Sequence, residues 1–297
     1  MKYKGIITPM LTPFDRKGKI SKELTEKLLE KITKNRVHGL FPLGSTGLFP
    51  FLSIKERKTY LEIVNNGKGK LPVFAGIGSS STEESVELAK HATDIGADVL
   101  VLMPPYYITP GQEEIKSHFA KVLSATDSNL FIYNIPQLAG TWISYETMLY
   151  LKEEYNQIKG VKESSGDMRR FQKVMTLSDR DFTILQGQDD LIYMSLMIGA
   201  DGGICGTTNI MDETVRIYKN IEDNRLELAR KSQLDVVNPL MESLNSITFP
   251  SGYYHAMYES MDVKGGYRTP MIEPPESKKK EISSAVRKAL EKAKKYK

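Results

Sequence analysis

The sequence predicts an α/β fold, an eight-stranded parallel (β/α) TIM barrel with a C-terminal helical extension. Eight short apolar, β-branched segments alternate with longer segments of helical periodicity, and no long antiparallel hairpin signal interrupts them. The length of 297 residues suits one barrel with extensions. Small, hydroxyl and carboxylate residues gather directly after the strand segments, where barrel enzymes hold their active sites. A doubly wound open sheet is the alternative, because a sequence does not display closure.

The barrel domain is predicted to cover residues 1–222, and the helical subdomain residues 223–297. In the barrel, strands are expected at 5–9, 39–43, 73–77, 99–103, 130–134, 158–162, 182–186 and 202–205. Helices are expected near 21–36, 53–66, 81–95, 112–125, 144–155, 168–178, 189–199 and 212–221. Ser53 and Ser81 begin capping-box patterns, which mark helix starts. Three further helical stretches are expected near 224–245, 251–260 and 278–296.

The composition is that of a globular protein without disulfides. It is 40% hydrophobic and 26% charged, which is close to the average for soluble proteins. Cys205 is the single cysteine, so an internal disulfide is excluded. The first residues lack the apolar core of a signal peptide, and no apolar run approaches the ~18 residues of a membrane span. We therefore expect a cytoplasmic protein with no membrane partner.

The positive charge is concentrated at the C-terminal end. Residues 277–297 hold nine Lys or Arg and two Glu, a net +7, against +4 for the whole chain. Apolar residues recur there at helical spacing, with Leu290 on the same side: Ile282, Val286, Ala289 and Ala293. This pattern predicts an amphipathic closing helix with a solvated basic face. A nucleic-acid patch is the alternative, but no recognition motif accompanies it, so no nucleic-acid partner is expected.

Lys162 ends one predicted strand, and Tyr133 stands near the end of the strand before it. A lysine is nucleophilic only as the neutral amine, and burial favours that form. A tyrosine beside it is able to carry the protons that making and breaking a carbon–carbon bond requires. The pair therefore indicates imine chemistry on a keto acid. Lysines at strand ends are more often simply solvated, so this interpretation depends on the loops around it.

The turn Gly44-Ser45-Thr46-Gly47 follows a predicted strand and precedes a helix. Its glycines allow a sharp turn, and its N–H groups and two hydroxyls are suited to hold an anion at a helix N-terminus. Many tight turns look similar. A phosphate is a weaker candidate than the carboxylate of a 2-keto acid, because the lysine of a phosphate-binding loop is absent.

Other loop residues have two interpretations each. Tyr107 either packs at a subunit contact or donates its phenol to Tyr133. Asp189 and Asp190 either cap the helix that follows or accept hydrogen bonds from substrate hydroxyls. The four histidines are dispersed without a metal-ligand pattern, and no dinucleotide fingerprint follows an early strand. We therefore expect no metal and no cofactor.

Five motifs together resemble the dihydrodipicolinate synthase/N-acetylneuraminate lyase family of lysine-dependent barrel aldolases. They are Gly-Ser-Thr-Gly at 44–47, Pro-Pro-Tyr-Tyr at 104–107, Tyr-Asn-Ile-Pro at 133–136, Gly-Val-Lys-Glu at 160–163 and Gly-Ala-Asp-Gly-Gly at 199–203. Their order and spacing match the family from about residue 5 to 221, and the helical tail matches its extra domain. Segments 41–47, 186–190 and 265–268 are most similar to archaeal 2-keto-3-deoxygluconate aldolases of the non-phosphorylating Entner–Doudoroff route.

The resemblance implies a role for each matching residue. Lys162 corresponds to the Schiff-base lysine and Tyr133 to the proton-transferring tyrosine. Ser45 and Thr46 correspond to the carboxylate-binding pair, one of which also relays protons to Tyr133. Ile204 corresponds to the residue whose backbone helps to hold the pyruvyl group.

The resemblance also implies an oligomer, because Tyr107 corresponds to a tyrosine that reaches into a neighbouring subunit. We expect a homotetramer built as a dimer of dimers.

Two departures from the family narrow the substrate. The synthases have an arginine after Tyr-Asn-x-Pro that binds a second carboxylate, whereas this chain has Gln137-Leu138. Leucine does not clamp a carboxylate, which argues against the synthase reaction. The sialic-acid lyases usually have glutamate where this chain has Asp190, which weakens N-acetylneuraminate as a substrate.

The expected function is cleavage of 2-keto-3-deoxygluconate to pyruvate and glyceraldehyde. The loops after strands two to eight hold almost no Lys or Arg apart from Lys162, and a phosphate would need such a cation, so an unphosphorylated acid is expected. Arg268, in the C-terminal region, is the main candidate to supply a cation to a phosphate. Candidate contacts to the substrate, beyond Ser45, Thr46 and Ile204, are Gly44, Ser164, Gly187, Gln188, Asp189, Asp190, Thr207 and Thr208. The alternatives are N-acetylneuraminate lyase, a sugar-acid dehydratase, and a non-catalytic keto-acid sensor. The intact Lys162 argues against the sensor, because binding alone needs no nucleophile.

Overall fold

Eight parallel strands form the centre of the protein in the computed structural model, which describes residues 3–296. Their order in the sheet is β2-β1-β8-β7-β6-β5-β4-β3. The strands are β1 (Gly5–Pro9), β2 (Gly39–Phe41), β3 (Phe74–Gly76), β4 (Val99–Leu102), β5 (Leu130–Asn134), β6 (Ile158–Glu163), β7 (Thr183–Gln186) and β8 (Gly202–Ile204). Almost every strand residue is buried, as expected for a parallel sheet that is covered on its outer face by helices.

The barrel closes between β2 and β3, where a parallel bridge joins Leu40 to Val73. Both strands are shorter than predicted because the chain turns away directly after Phe41. Pro42 has no N–H to continue the ladder, and Leu43 takes a left-handed φ of 62°. Gly76 allows this turn to cross β3, since a Cβ there would lie 2.2 Å from Leu43 O. The predicted TIM barrel is thus confirmed, and the open-sheet alternative is wrong.

Helices surround the barrel and begin close to where the sequence predicts them. They are α1 (Lys22–Lys34), α2 (Ile54–Gly67), α3 (Thr82–Asp94), α4 (Gln112–Leu123), α5 (Pro136–Ala139), α6 (Tyr145–Glu154), α7 (Met168–Met175), α8 (Ile192–Met197) and α9 (Glu213–Glu222). Ser53 forms the predicted capping box with Glu56, and Ser81 caps α3 through the N–H of Glu84. The short α5 was not predicted, and α8 begins only after a 3-10 turn at Asp189–Leu191.

The C-terminal helices are α10 (Leu226–Ser232), α11 (Asn238–Leu244), α12 (Ser251–Ser260) and α13 (Glu276–Ala293). The single stretch predicted at 224–245 is interrupted by a π-helical turn, Gln233–Val237. Pro239 lies just beyond it and has no N–H to donate, so the regular hydrogen-bond ladder cannot continue through this point. The division at 222/223 into a barrel domain and a helical subdomain stays a prediction.

Helix α13 buries the predicted stripe of Ile282, Val286, Ala289 and Ala293. Leu290 was expected on the same side, and this is wrong, because 42% of it is exposed. Several basic residues of the helix contact acidic partners, among them Lys279 with Glu273 and Glu276. No helix within residues 3–296 combines the length and apolar character needed to span a bilayer.

Candidate active site

Strands β5 and β6 bring Tyr133 and Lys162 together at the carboxyl end of the barrel. The two residues are direct partners in the parallel register. Both are almost completely buried, with 3% of Tyr133 and 4% of Lys162 exposed. Because side chains alternate along a strand, a shift by one residue would point one of them away from the other. The register of this one strand pair therefore creates the lysine–tyrosine pair that the sequence predicts.

Aromatic rings surround the lysine amine. Lys162 Nζ lies 3.9 Å from the ring centroid of Tyr133 and 4.7 Å from that of Phe41. Within residues 3–296, no carboxylate forms an ion pair with Lys162. Surface lysines elsewhere in the protein do form such pairs with nearby carboxylates. The amine is therefore enclosed by aromatic side chains rather than bound in an ion pair, which leaves it accessible to a carbonyl carbon in the cavity.

The turn at residues 44–47 supplies hydroxyl groups to the same place. Ser45 Oγ lies 3.3 Å from Tyr133 Oη, within hydrogen-bonding distance. Gly47 lets the turn pack against the first βα loop, because a Cβ there would lie 2.7 Å from Met10 O. Thr12 Oγ1 donates to Gly47 O at 2.7 Å and fixes the turn in position. Gly44 lies buried against the Phe41 ring rather than in the cavity.

The turn does not lead directly into a long helix, contrary to expectation. A three-residue 3-10 turn follows at Phe49–Phe51, and α2 begins only at Ile54. A helix dipole therefore contributes little at this point, because its effect falls off within the first turn of the helix. The predicted anion would therefore be held by the hydroxyls and N–H groups of the turn itself.

These groups line a cavity of about 270 Å³ at the carboxyl ends of the strands. Nine predicted residues contribute to its wall: Ser45, Thr46, Tyr133, Lys162, Ser164, Gly187, Gln188, Asp189 and Ile204. The Ser164 hydroxyl is buried beside Lys162 and has no hydrogen-bond partner among the described residues. Convergence of this kind is expected of a barrel active site.

Asp189 directs its carboxylate into the protein rather than toward α8. It accepts hydrogen bonds from Gly206 N at 2.8 Å, Thr207 N at 2.8 Å and Thr207 Oγ1 at 2.6 Å. Burial raises the pKa of Asp189, and these hydrogen bonds oppose the rise. Asp189 thus joins the loops after β7 and β8, and the predicted helix-capping role is wrong, because no side chain caps α8.

Three other candidates lie outside the cavity wall. Thr207 donates its hydroxyl to Asp189, and Thr208 donates its hydroxyl to Cys205 O. Asp190 is exposed and does not line the cavity. The cavity wall therefore does not include them, and their predicted contacts with a substrate stay predictions.

Tyr107 is also separated from Tyr133 within one chain. It is 94% exposed, and its neighbour Ile108 is 80% exposed. Its φ of 81° is left-handed, a strained conformation for a residue with a side chain. The strained backbone presents the two side chains outward from the loop after β4. The predicted contribution of Tyr107 to a neighbouring subunit stays a prediction.

Further residues, beyond the predicted contacts, complete the cavity. Gln137 and Leu138 come from α5, and the C-terminal region supplies Met241, Asn245, Phe249 and Tyr253. Gln137 and Leu138 directly follow the Tyr-Asn-Ile-Pro motif, so their position was a signal available in the sequence. The C-terminal residues carried no such signal, because they lie in or between α11 and α12, far along the chain from the barrel loops.

A buried hydrogen-bond network joins β5 and β6 behind Tyr133 and Lys162. Asn134 Nδ2 donates to both carboxylate oxygens of Glu163, at 3.0 and 2.9 Å. Ser165 N donates to Glu163 Oε1 at 2.8 Å, and Arg170 Nε lies 3.4 Å from Oε2. Asn134 follows Tyr133 and Glu163 follows Lys162, so this network lies directly behind the lysine–tyrosine pair.

Cations other than Lys162 are absent from the wall of the cavity within residues 3–296. Arg268, the main candidate to bind a phosphate, forms two hydrogen bonds of 2.9 Å to Glu56 and a third to Gly18 O. No cluster of metal-ligating side chains occurs among the described residues. Burial raises the pKa of the Cys205 thiol well above its ordinary value, which agrees with a packing role rather than a nucleophilic one.

The comparisons with known proteins identify the class of protein to which this TIM barrel with its lysine-centred cavity belongs. The chain belongs to the Dihydrodipicolinate synthetase family, whose profile matches residues 2–289. It is 49% identical over 286 residues to an uncharacterized DapA-like lyase of Thermoplasma acidophilum, covering 96% of this chain and 98% of the relative.

A second relative carries a more specific name. The chain is 47% identical over 262 residues to the 2-dehydro-3-deoxy-D-gluconate/2-dehydro-3-deoxy-phosphogluconate aldolase of Picrophilus torridus, covering 88% of this chain and 97% of the relative. The solved structure of the 2-keto 3-deoxygluconate aldolase from Picrophilus torridus superimposes with a TM-score of 0.89 at 46% identity. That alignment covers 92% of this chain and 98% of the other.

Proposed function

We propose that the protein is a Schiff-base (class I) aldolase that cleaves 2-keto-3-deoxy-D-gluconate to pyruvate and D-glyceraldehyde. It would serve a non-phosphorylating Entner–Doudoroff route in the cytoplasm. The observation that carries the proposal is the buried Lys162 beside Tyr133, in a cavity that Ser45 and Thr46 also line. The name of the relative from Picrophilus torridus supports the same chemistry on a sugar acid.

The first steps would form an imine. Neutral Lys162 attacks the C2 carbonyl, and loss of water leaves a protonated imine between Nζ and C2. The hydroxyls of Ser45 and Thr46 hold the neighbouring carboxylate, so that C2 faces the amine. The protonated imine then withdraws electrons from the C3–C4 bond, which is why no metal or organic cofactor is needed.

The later steps would move protons through Tyr133. Tyr133 gives its phenol proton to the hydroxyl that leaves C2 as water when the imine forms. The resulting phenolate then accepts the proton of the C4 hydroxyl as the C3–C4 bond breaks, and the bonding electrons move to form an enamine at C3. Glyceraldehyde leaves, C3 takes up a proton, and water hydrolyses the imine to release pyruvate and free Lys162. Ser45, which lies 3.3 Å from the Tyr133 oxygen, provides the route by which the phenol exchanges its proton.

The cavity supports an unphosphorylated sugar acid over a dicarboxylate. Leu138 lies on the wall where the synthases have their arginine, and it offers no charge to a second carboxylate. A phosphate also lacks a cationic partner, because Arg268 is already bound to Glu56. The relative's name covers both forms of the acid, so selectivity against the phosphorylated form is a property proposed for this chain.

The first experiment is pyruvate release from four acids: 2-keto-3-deoxygluconate, its galacto epimer, its 6-phosphate and N-acetylneuraminate. Fast release from the first, with glyceraldehyde as co-product, is the expected result. Release only from N-acetylneuraminate would instead support the lyase alternative, and loss of water without pyruvate would support a dehydratase. A kcat/KM on the 6-phosphate equal to that on the plain acid would contradict the proposed selectivity.

The imine is tested separately by borohydride reduction in the presence of pyruvate. A reduced pyruvyl group is expected on Lys162 and on no other lysine, and the Lys162→Met variant should carry none. Trapping without turnover on any acid would favour the keto-acid sensor. Labelling at another lysine, or activity abolished by chelators, would overturn the proposed mechanism.

The proposed assembly is a homotetramer, a dimer of dimers, in which Tyr107 reaches a neighbouring site. The exposed Tyr107 and Ile108 support it, because apolar side chains so accessible are typical of subunit contacts. Light scattering measures the mass directly. Replacement of Tyr107 by phenylalanine should keep the assembly and lower kcat if the phenol acts on the neighbouring site.

A further inference from the structure

Two glutamines occupy adjoining positions on the cavity wall and share one backbone partner. Gln137 lies in α5, after β5, and Gln188 lies just after β7. Each donates from Nε2 to the carbonyl oxygen of Ser164, at 2.7 Å in both cases. Ser164 follows β6, the strand between them, so its carbonyl is placed to serve both.

This shared partner determines which way both amides face. A carbonyl oxygen accepts hydrogen bonds and does not donate them, so only the NH₂ group of each glutamine can face Ser164 O. The carboxamide oxygens therefore point elsewhere. Within residues 3–296 neither oxygen accepts a hydrogen bond, whereas Gln186 and Gln233 both use theirs inside the protein.

The two glutamine oxygens are acceptors that the described protein leaves available on this part of the wall, next to the buried Ser164 hydroxyl. Lys162 is engaged with the keto acid in the proposed mechanism, and the Asp189 carboxylate already accepts three hydrogen bonds. The glutamine oxygens accept hydroxyl protons, and a phosphate, which presents mainly acceptors, would face them without a complementary donor.

We propose that Gln137 and Gln188 form a pair of hydroxyl acceptors that selects a polyhydroxylated tail on the aldehyde side of the substrate. The proposal rests on the proposed aldolase function and adds to it the residues that recognise the tail. Gln137 is exposed and Gln188 half-buried in the free cavity, so water is able to reach both acceptors. A bound substrate without these hydroxyls would displace that water and leave the acceptors unpaired, which is an effective source of selectivity. The loss expected for each missing contact is about tenfold in kcat/KM.

The test uses the condensation direction, with pyruvate and either glyceraldehyde or propanal. The two aldehydes have the same carbon chain and reacting carbon, and propanal lacks the hydroxyls. The variants are Gln137→Met, Gln188→Met and the double variant. The matched control is Gln157→Met, since Gln157 also donates its amide to backbone carbonyls, those of Leu123 and Thr126, but lies outside the cavity wall.

The wild type should prefer glyceraldehyde, and each cavity variant should lower that preference about tenfold while propanal kinetics change little. The control variant should keep the wild-type ratio. Borohydride trapping of pyruvate on Lys162 in every variant verifies that the barrel and the imine site are intact. An unchanged aldehyde ratio in a double variant that is active and still traps pyruvate would overturn the role of the pair, but not the proposed aldolase function. A wild type that traps pyruvate but joins neither aldehyde would overturn the proposed aldolase function, and the pair's role with it.

Discussion

Replacing Glu163 by glutamine should weaken the network behind the active site while changing the side-chain volume very little. In the native protein, Asn134 Nδ2, Ser165 N and Arg170 Nε all donate to the two carboxylate oxygens. Glutamine keeps one oxygen and replaces the other by an NH₂ group, which is itself a donor. Either orientation of the new amide therefore places a donor against donors.

The size of the effect follows from burial. Glu163 is 1% exposed, so water cannot replace the lost hydrogen bonds. A buried donor without a partner costs about 1–3 kcal/mol, and removing one member of a buried ion pair costs about 3–5 kcal/mol. The Arg170 side chain is 18% exposed and keeps its bond to Ile143 O, which reduces the penalty. We expect a loss of about 3 kcal/mol, equivalent to a fall in Tm of about 5–10 °C for a chain of this size.

The assay combines thermal unfolding with kinetics. Because Glu163 and Asn134 directly follow Lys162 and Tyr133, disturbing their contact should also lower kcat and slow pyruvate trapping. The matched control is Glu26→Gln, at a surface glutamate whose side chain is 55% exposed, where the change should stay below about 0.5 kcal/mol. A Tm within about 1 °C of the wild type for Glu163→Gln would refute the reasoning, because the buried carboxylate would then carry no essential hydrogen bonds.

Three further predictions concern the phenol, a buried histidine and the cavity floor. Tyr133→Phe should still trap pyruvate on Lys162 but lose about 10²–10⁴-fold in kcat, because only the proton carrier is removed. An equal loss of trapping and turnover would assign the tyrosine a different role. Burial lowers the pKa of His118 from 6.5 to about 4, so the unfolded chain takes up this proton at a higher pH than the folded protein does. The free energy of unfolding should therefore keep its full value above about pH 6.5 and fall as the pH drops toward 4. Urea unfolding across that range measures the pH-dependent loss in the free energy of unfolding, which should be about 3 kcal/mol smaller in His118→Gln. An unchanged pH dependence in this variant would contradict the assignment. Gly187→Ala would place a methyl group 1.7 Å from Ser164 Oγ and 2.8 Å from its Cβ, so kcat/KM should fall at least about tenfold with the fold retained, whereas a wild-type kcat/KM would show that Ser164 moves aside freely.

The parts of the site that the sequence predicted are those that lie at strand ends. Lys162 and Tyr133 could be paired because adjacent parallel strands end at the same rim, and each residue stands at the end of its own apolar segment. Ser45 and Thr46 follow the same rule, since they lie in the turn after β2. For such residues, local pattern and fold class together are sufficient to place the side chain.

Other parts depended on distances that a local pattern does not contain. The cavity receives Phe249 from the segment between α11 and α12 and Tyr253 from α12, and nothing near them in the sequence refers to the barrel. Leu290 continues the apolar spacing of α13 and yet is 42% exposed, because the width of a buried stripe depends on the surface that it meets. These positions are decided by tertiary packing.

The polar loop residues show why residue type alone could not separate binding groups from structural ones. Asp189 and Gln188 are neighbours, and both were candidates for the same role. The Asp189 carboxylate meets three donors from the loop after β8, so its acceptor capacity is used within the protein. Gln188 uses its donor on Ser164 O and keeps an acceptor for the cavity. Substitution of Asp189 should therefore act first on stability, whereas substitution of Gln188 should act first on the choice of substrate, and that difference follows from hydrogen-bond satisfaction rather than from charge.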